Sequence, residues 1–142
     1  MDRGVTKSVF YETEKNDHGL PHNPFKAIVA PRPIGWIGSL DAEGRANLAP
    51  YSFFNAVADN PPMVLFSSSG FKDSAANIEA CGDFTCSLAT YDLKDAMNMS
   101  SGAFGHGVSE FEKAGLTKGA GRAISAPHVA EAPAVLECKL FR

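Results

Sequence analysis

Apolar residues along this chain gather in short runs broken by turn residues, not in long helical stripes. Ile34 to Leu40 and Arg45 to Phe54 are β-rich runs on either side of Asp41-Ala42-Glu43-Gly44, a loop with glycine where a positive φ is needed to turn back. That order predicts a hairpin. Ala56 to Ala58 continues extended, Asp59-Asn60-Pro61-Pro62 reads as a turn, and Met63 to Phe66 is a continuous apolar strand expected to be buried on both faces. Asp73 to Cys81 reads as a helix closed by Gly82 in a left-handed cap, and Phe84 to Leu88 as a further strand. Near the end, Val135, Glu137, Lys139 and Phe141 alternate with Leu136, Cys138 and Leu140, as in a half-buried strand.

The remaining segments fill in around these strands. Met1 to Asn23 is polar and aperiodic and reads as an N-terminal arm. Pro24 to Val29 fits a short helix capped by Asn23 and stopped by Pro31 and Pro33. Asp92 to Met99 fits a helix capped by Asp92, and Ser109 to Ala114 a short one in which Ser109 and Glu112 are spaced as a capping box. Ser100 to Gly107 and Gly115 to Gly121 read as loops. Short helices scattered between hairpin-joined strands predict a mainly β, antiparallel barrel with peripheral helices. No GxGxxG follows a strand, which disfavours a doubly wound sheet.

Composition narrows the function classes. The 142 residues fit one folded domain, and a net charge of −3 without a basic block offers no footprint for nucleic acid. No apolar run approaches the roughly 20 residues of a membrane span, and the N-terminus is not signal-like, so a cytoplasmic location is expected. Cys81, Cys86 and Cys138 show no CxxC spacing and read as packed thiols. The four histidines, His106 among them, have no metal-ligand spacing, so no metal site is expected.

Candidate chemistry concentrates between Pro31 and Asn77. Lys72, Asp73, Ser74 and Asn77 stand where a loop becomes a helix, a place where backbone N–H groups, the helix dipole and an ammonium group favour an anion. The plainer reading is that Asp73 is only an N-cap. Ser67, Ser68 and Ser69 follow directly on an apolar strand and carry hydroxyl donors suited to phosphate or polyol oxygens, or else form a turn. In Asn47-Leu48-Ala49-Pro50-Tyr51-Ser52-Phe53-Phe54-Asn55 polar residues and a proline interrupt an aromatic strand, which predicts a bend or an edge with amides and the Ser52 hydroxyl turned toward a ligand. Trp36 reads as core. No serine lies in a GxSxG elbow and no catalytic base stands out, which points to a cofactor that brings its own chemistry.

Taken in order, PRPIGWIGS, DAEGRANLAPYSFFN, DNPPMVLFSSS, KDSAANI and GDFTCSLA, followed by HGVSEFEKAGLT and VAEAPAVLECKL, resemble the flavin reductase-like family. The resemblance implies an antiparallel Greek-key, FMN-binding split barrel over 24–142 and a homodimer with FMN near the subunit interface. It places Asn47, Ala49, Tyr51, Ser52 and Phe53 against the isoalloxazine ring, Ser67, Ser68 and Ser69 toward the ribityl-phosphate region, and Lys72, Asp73 and Ser74 on the phosphate. The implied reaction is hydride transfer from NADH or NADPH to flavin, with an electron-accepting protein or monooxygenase component as candidate partner. An FMN-binding electron carrier without a nicotinamide site and a flavin-free binding module are the alternatives. The family continues past an ECKL-type strand, so the last barrel strands are expected to be missing here.

Overall fold

The computed structural model describes residues 10–105 and 107–141, so the first part of the N-terminal arm and His106 lie outside the described residues. The chain divides between Pro31 and Arg32 into two compact units. In the first, helix α1 (Pro24–Ile28) begins as expected, with the Asn23 side chain accepting a hydrogen bond from the Phe25 amide at 2.9 Å.

The second unit is organised by a hairpin. Strands β1 (Gly35–Leu40) and β2 (Ala46–Tyr51) pair antiparallel from Gly35 opposite Tyr51 to Leu40 opposite Ala46. The Asp41 carboxylate builds the turn: Oδ1 accepts from the amides of Glu43 and Arg45, Oδ2 takes the Arg45 Nε proton at 2.6 Å, and Gly44 supplies the positive φ of 80°. A ribbon of β3 (Phe54–Asp59) and β4 (Pro62–Phe66) follows. Next come helix α2 (Asp73–Cys81), ended by Gly82 at φ 80°, and strand β5 (Asp83–Ser87), which pairs with β1. After α3 (Lys94–Met99), α4 (Glu110–Lys113) and the small β6 (Lys118–Gly119) and β7 (His128–Val129) pair, β8 (Val135–Lys139) adds to β5. The main sheet therefore runs β2-β1-β5-β8.

Side chains of period two on this sheet feed two cores. Ile37, Tyr51, Phe84 and Cys86 meet Ile78 of α2, with Val64 and Phe66 packed alongside. Trp36 and Leu48 point to the other face and meet Phe111 and Val129. Trp36 is fully buried, as expected, and its indole N–H donates to Ser100 Oγ at 2.9 Å. Gly38 lies under the carbonyl of Pro127, where an added Cβ would come within 2.2 Å of that oxygen and 2.5 Å of Thr85 Oγ1. Gly38→Ala is expected to lower the unfolding free energy by about 3 kcal/mol, the upper end of overpacking costs, measured by urea denaturation.

Four expectations need correction. Strand β4 is not buried on both faces: Val64 and Phe66 pack on the core, but Leu65 is 57% exposed, because β4 belongs to a two-stranded ribbon that covers the sheet with only one side. Asp92 does not cap α3; the chain makes a turn first and Leu93 takes the cap position. Ser109 stands at the cap of α4 but its hydroxyl makes no capping bond, and Glu112 pairs with Lys118 instead. The segment Gly115 to Gly121 contains β6, a strand too short for its periodicity to show in the sequence.

The loop between β6 and β8 is tied down by carboxylates. Glu137 accepts the amides of Arg122 and Ala123, each at 2.7 Å, and Asp83 accepts those of Ser125 and Ala126. Those Arg122 and Ala123 bonds hold the Glu137 carboxyl below its ordinary value of 4.5. A depressed carboxyl contributes its stability above the unfolded-state value and loses it as pH falls through the folded one. Unfolding free energy is therefore expected to fall below about pH 4.5, and Glu137→Gln to flatten that acid limb in a pH series of thermal melts.

Candidate functional site

The site begins at β2, an edge strand of the main sheet. The Leu48 amide donates away from β1, to Glu110 Oε2 at 3.1 Å. By the alternation of an antiparallel ladder, the backbone groups of Ala46 and Pro50 also face outward, while those of Asn47, Ala49 and Tyr51 face β1. Within β2, one outward amide is taken by Glu110 and proline supplies none.

Helix α2 forms the opposite wall. Lys72, extended at φ −105° and ψ 170°, occupies its cap position, and no side chain caps the helix. Asp73 is thus the first helical residue and not the cap. The first backbone bond of the helix runs from the Ala76 amide to Lys72 O at 3.0 Å, leaving Ser74 and Ala75 without an intrahelical acceptor. Ser74 is buried and receives the Asn47 side-chain amide at 2.9 Å, which fixes the helix against β2 and leaves the serine hydroxyl its own proton to donate.

Between these walls lies a cleft of about 330 Å³ lined by Asn47, Ala49, Pro50, Tyr51, Lys72, Asp73 and Ser74, with residues 100–104 and Glu110 across from them. That volume is at the small end for a ligand pocket. Six of the residues singled out from the sequence (Asn47, Ala49, Tyr51, Lys72, Asp73 and Ser74) meet here. The other five that the resemblance assigned to flavin do not line it, and neither does Asn77. Ser52 and Phe53 form the bend between β2 and β3, and Ser67 donates its amide to Phe53 O at 2.8 Å. Ser68 Oγ donates to Gly70 O at 2.8 Å, and Ser69 is exposed beside it.

A second recess of about 220 Å³ adjoins the first and shares Asn47, Asp73 and Glu110 with it. Asp41, Arg45, Asn77, Ser109, Glu112 and Lys118 also line it, together with Gly44, Ala46, Gly107 and Val108. Some desolvation works against it, but hydrogen bonds from the Arg45 backbone and guanidinium keep the Asp41 carboxyl below the ordinary carboxylate value. Glu110 and residues 100–104 were not singled out from the sequence. In the sequence Glu110 marks only a short helix, and the glycine-rich run only a loop. The buried Cys86 thiol does not have the character of a nucleophile: burial, aided by the nearby Cys138, pushes it up to about 11.

Residues 29–142 match the family model described as the flavin reductase like domain. The chain belongs to the flavin reductase-like family. An uncharacterised protein of Deinococcus radiodurans is 43% identical over 122 residues, covering 80% of this chain and 54% of that protein. Among solved structures, 2-nitrobenzoate 2-nitroreductase of Pseudomonas fluorescens is 32% identical with a TM-score of 0.75, over 80% of this chain and 56% of that one. Nitrilotriacetate monooxygenase component B of Bacillus cereus is 29% identical with a TM-score of 0.84, over 96% of this chain and 70% of that one. This flavin reductase-like chain spans between 54% and 61% of the curated relatives with which it shares 43% and 37% identity. Its fold is the mainly β split barrel expected from the sequence. Among the described residues, no helix is long and apolar enough to cross a membrane.

Proposed function

We propose that this chain binds FMN in the cleft between β2 and α2 and serves hydride transfer from NADH or NADPH to that flavin. The observation that carries the reading is the start of α2, where a first turn without a side-chain cap, Lys72 and Ser74 line the same cleft. That donor set fits a phosphate monoester: backbone N–H groups at a helix start, a full positive charge and a hydroxyl proton. In the same cleft Ala49, Pro50 and Tyr51 present a mainly apolar strand suited to one edge of a flat ring system. When bound, FMN supplies a ring that accepts a hydride with its two electrons and passes them on, while NAD(P)H becomes NAD(P)⁺.

The chain's own residues bind and orient. Lys72 and Ser74 hold the phosphate, and the Asn47 to Ser74 hydrogen bond keeps the strand and the helix at a fixed distance, so that the ring meets the same wall each time. Ser52, Phe53 and the serines 67–69 are not among the residues that line this cleft. In this reading they reach flavin only where a second copy or a further part of the protein completes the site. Val57 and Leu65, 60% and 57% exposed on the β3–β4 ribbon, are an apolar face for a second copy to cover in a homodimer. The likeness to a monooxygenase component B supports a role in passing reduced flavin to a partner oxygenase.

Anaerobic mixing of the FMN-loaded protein with NADH or NADPH tests the reading. Bleaching of the flavin absorption is expected with at least one of them. Bound flavin that neither nucleotide bleaches would leave an electron carrier instead of a reductase.

A further inference from the structure

Residues 100–104 follow α3 and line the same cleft as β2 and the start of α2. The segment contains no helix or strand, yet it is held in place. Ser100 is 2% exposed; its Oγ accepts the Trp36 indole proton at 2.9 Å and donates to Met97 O at 2.7 Å, which fastens the start of the segment to β1 and to α3. Ser101 Oγ donates to Asn98 O at 2.6 Å, and the Gly102 amide to Met99 O at 3.1 Å. Both serine protons are thus spent inside the protein, and Gly102 and Ala103 have little side chain to offer a ligand. Phe104 remains.

Phe104 is half-buried between exposed neighbours, Ala103 and Gly105, and belongs to neither hydrophobic core among the described residues. Its seat is backbone. The Phe104 amide donates to Gly102 O at 3.1 Å, and the tip of the ring lies over Gly102, where an added Cβ would come within 2.8 Å of Cζ and 3.0 Å of Cε2. A ring held this way on the wall of a cleft, without a core to fill, is preorganised for a flat partner, since aromatic pairs contribute beyond the area they bury.

We propose that Phe104 is a flavin-contacting residue, its ring packing on the isoalloxazine of FMN bound in the cleft between β2 and α2, with Gly102 and the buried Trp36 to Ser100 hydrogen bond fixing where that ring stands. The inference rests on the FMN reading given above and adds the residue that grips the ring. A Phe104 that only shielded the end of α3 would contribute to stability and leave flavin affinity unchanged.

Fluorescence titration of FMN against the full chain and its variants, with thermal melts of the flavin-free proteins alongside, tests this. Phe104→Leu keeps an apolar side chain but loses the ring, and is expected to raise the FMN Kd by about 2-fold to 12-fold, the range that aromatic pairing supplies beyond burial. Gly102→Ala, whose new methyl displaces the ring tip, is expected to raise the Kd as well, and its effect to shrink in the Phe104→Leu background because both act through one ring. Phe104→Trp restores a ring, so it is expected to bind FMN more tightly than Phe104→Leu and to lower the emission of bound flavin, which an indole in contact quenches. Unchanged FMN affinity in Phe104→Leu, emission unmoved in Phe104→Trp, or affinity losses that only track losses of melting temperature would overturn the proposal. If the double variant Lys72→Ala, Ser74→Ala weakens FMN while Phe104→Leu does not, the cleft reading stands and the ring contact falls. Weakening in the Phe104 and Gly102 variants alone would keep the ring contact and overturn the phosphate part of that reading.

Discussion

The double substitution Lys72→Ala, Ser74→Ala is expected to weaken FMN binding by about 2 to 4 kcal/mol, roughly 30-fold to 1,000-fold in Kd, as measured by fluorescence titration. Each charge-assisted hydrogen bond is worth roughly 1.5 to 3 kcal/mol, and the remaining helix amides keep the loss below the full sum. Ser74 also receives the Asn47 amide, so its removal loosens the contact between β2 and α2 as well as the phosphate. Lys72 is exposed and has no partner among the described residues, so the single change Lys72→Ala isolates the electrostatic part. Its share should decline at high salt, whereas the Ser74 share should not. Unchanged FMN affinity in the double variant would show that the phosphate binds elsewhere.

Phe111→Ala is expected to cost about 3 to 5 kcal/mol of stability, read from urea unfolding. Phe111 is fully buried between Trp36, Leu48 and Val129, and α4 is only four residues long, so this side chain is what anchors the helix. The next residue back is Glu110, which closes the Leu48 amide and stands on both clefts. FMN affinity measured on the folded fraction is therefore expected to fall together with stability. A loss well under 1 kcal/mol would mean that α4 is held by its surface contacts instead.

What could be read from the sequence depended on whether local chemistry decides the structure. The β1–β2 hairpin and α2 were legible because Gly44 and Gly82 fix where the chain turns, both at a φ of 80°. The start of α2 was legible as a helix start for the same reason. Met63 to Phe66 was misread because an apolar run does not say how many faces of a strand are covered. That is decided by its partner, and β3 leaves Leu65 outside. Ser67 to Ser69 and Lys72 to Ser74 are neighbours in the chain, but only the latter three line the cleft. Glu110 was invisible because its role depends on a hydrogen bond to Leu48, 62 positions away. The acidic recess is likewise assembled from the β1–β2 turn, α2, α4 and β6, which no single motif joins.

The central claim is that the cleft between β2 and the start of α2 holds the flavin. A crystal structure of the chain grown with FMN tests it most directly. The account predicts the phosphate within hydrogen-bond distance of Lys72 Nζ, Ser74 Oγ and the first-turn amides of α2, with the ring edge along Ala49 to Tyr51. Phosphate density at Ser67 to Ser69 or in the Arg45 recess, with the start of α2 facing only solvent, would contradict it.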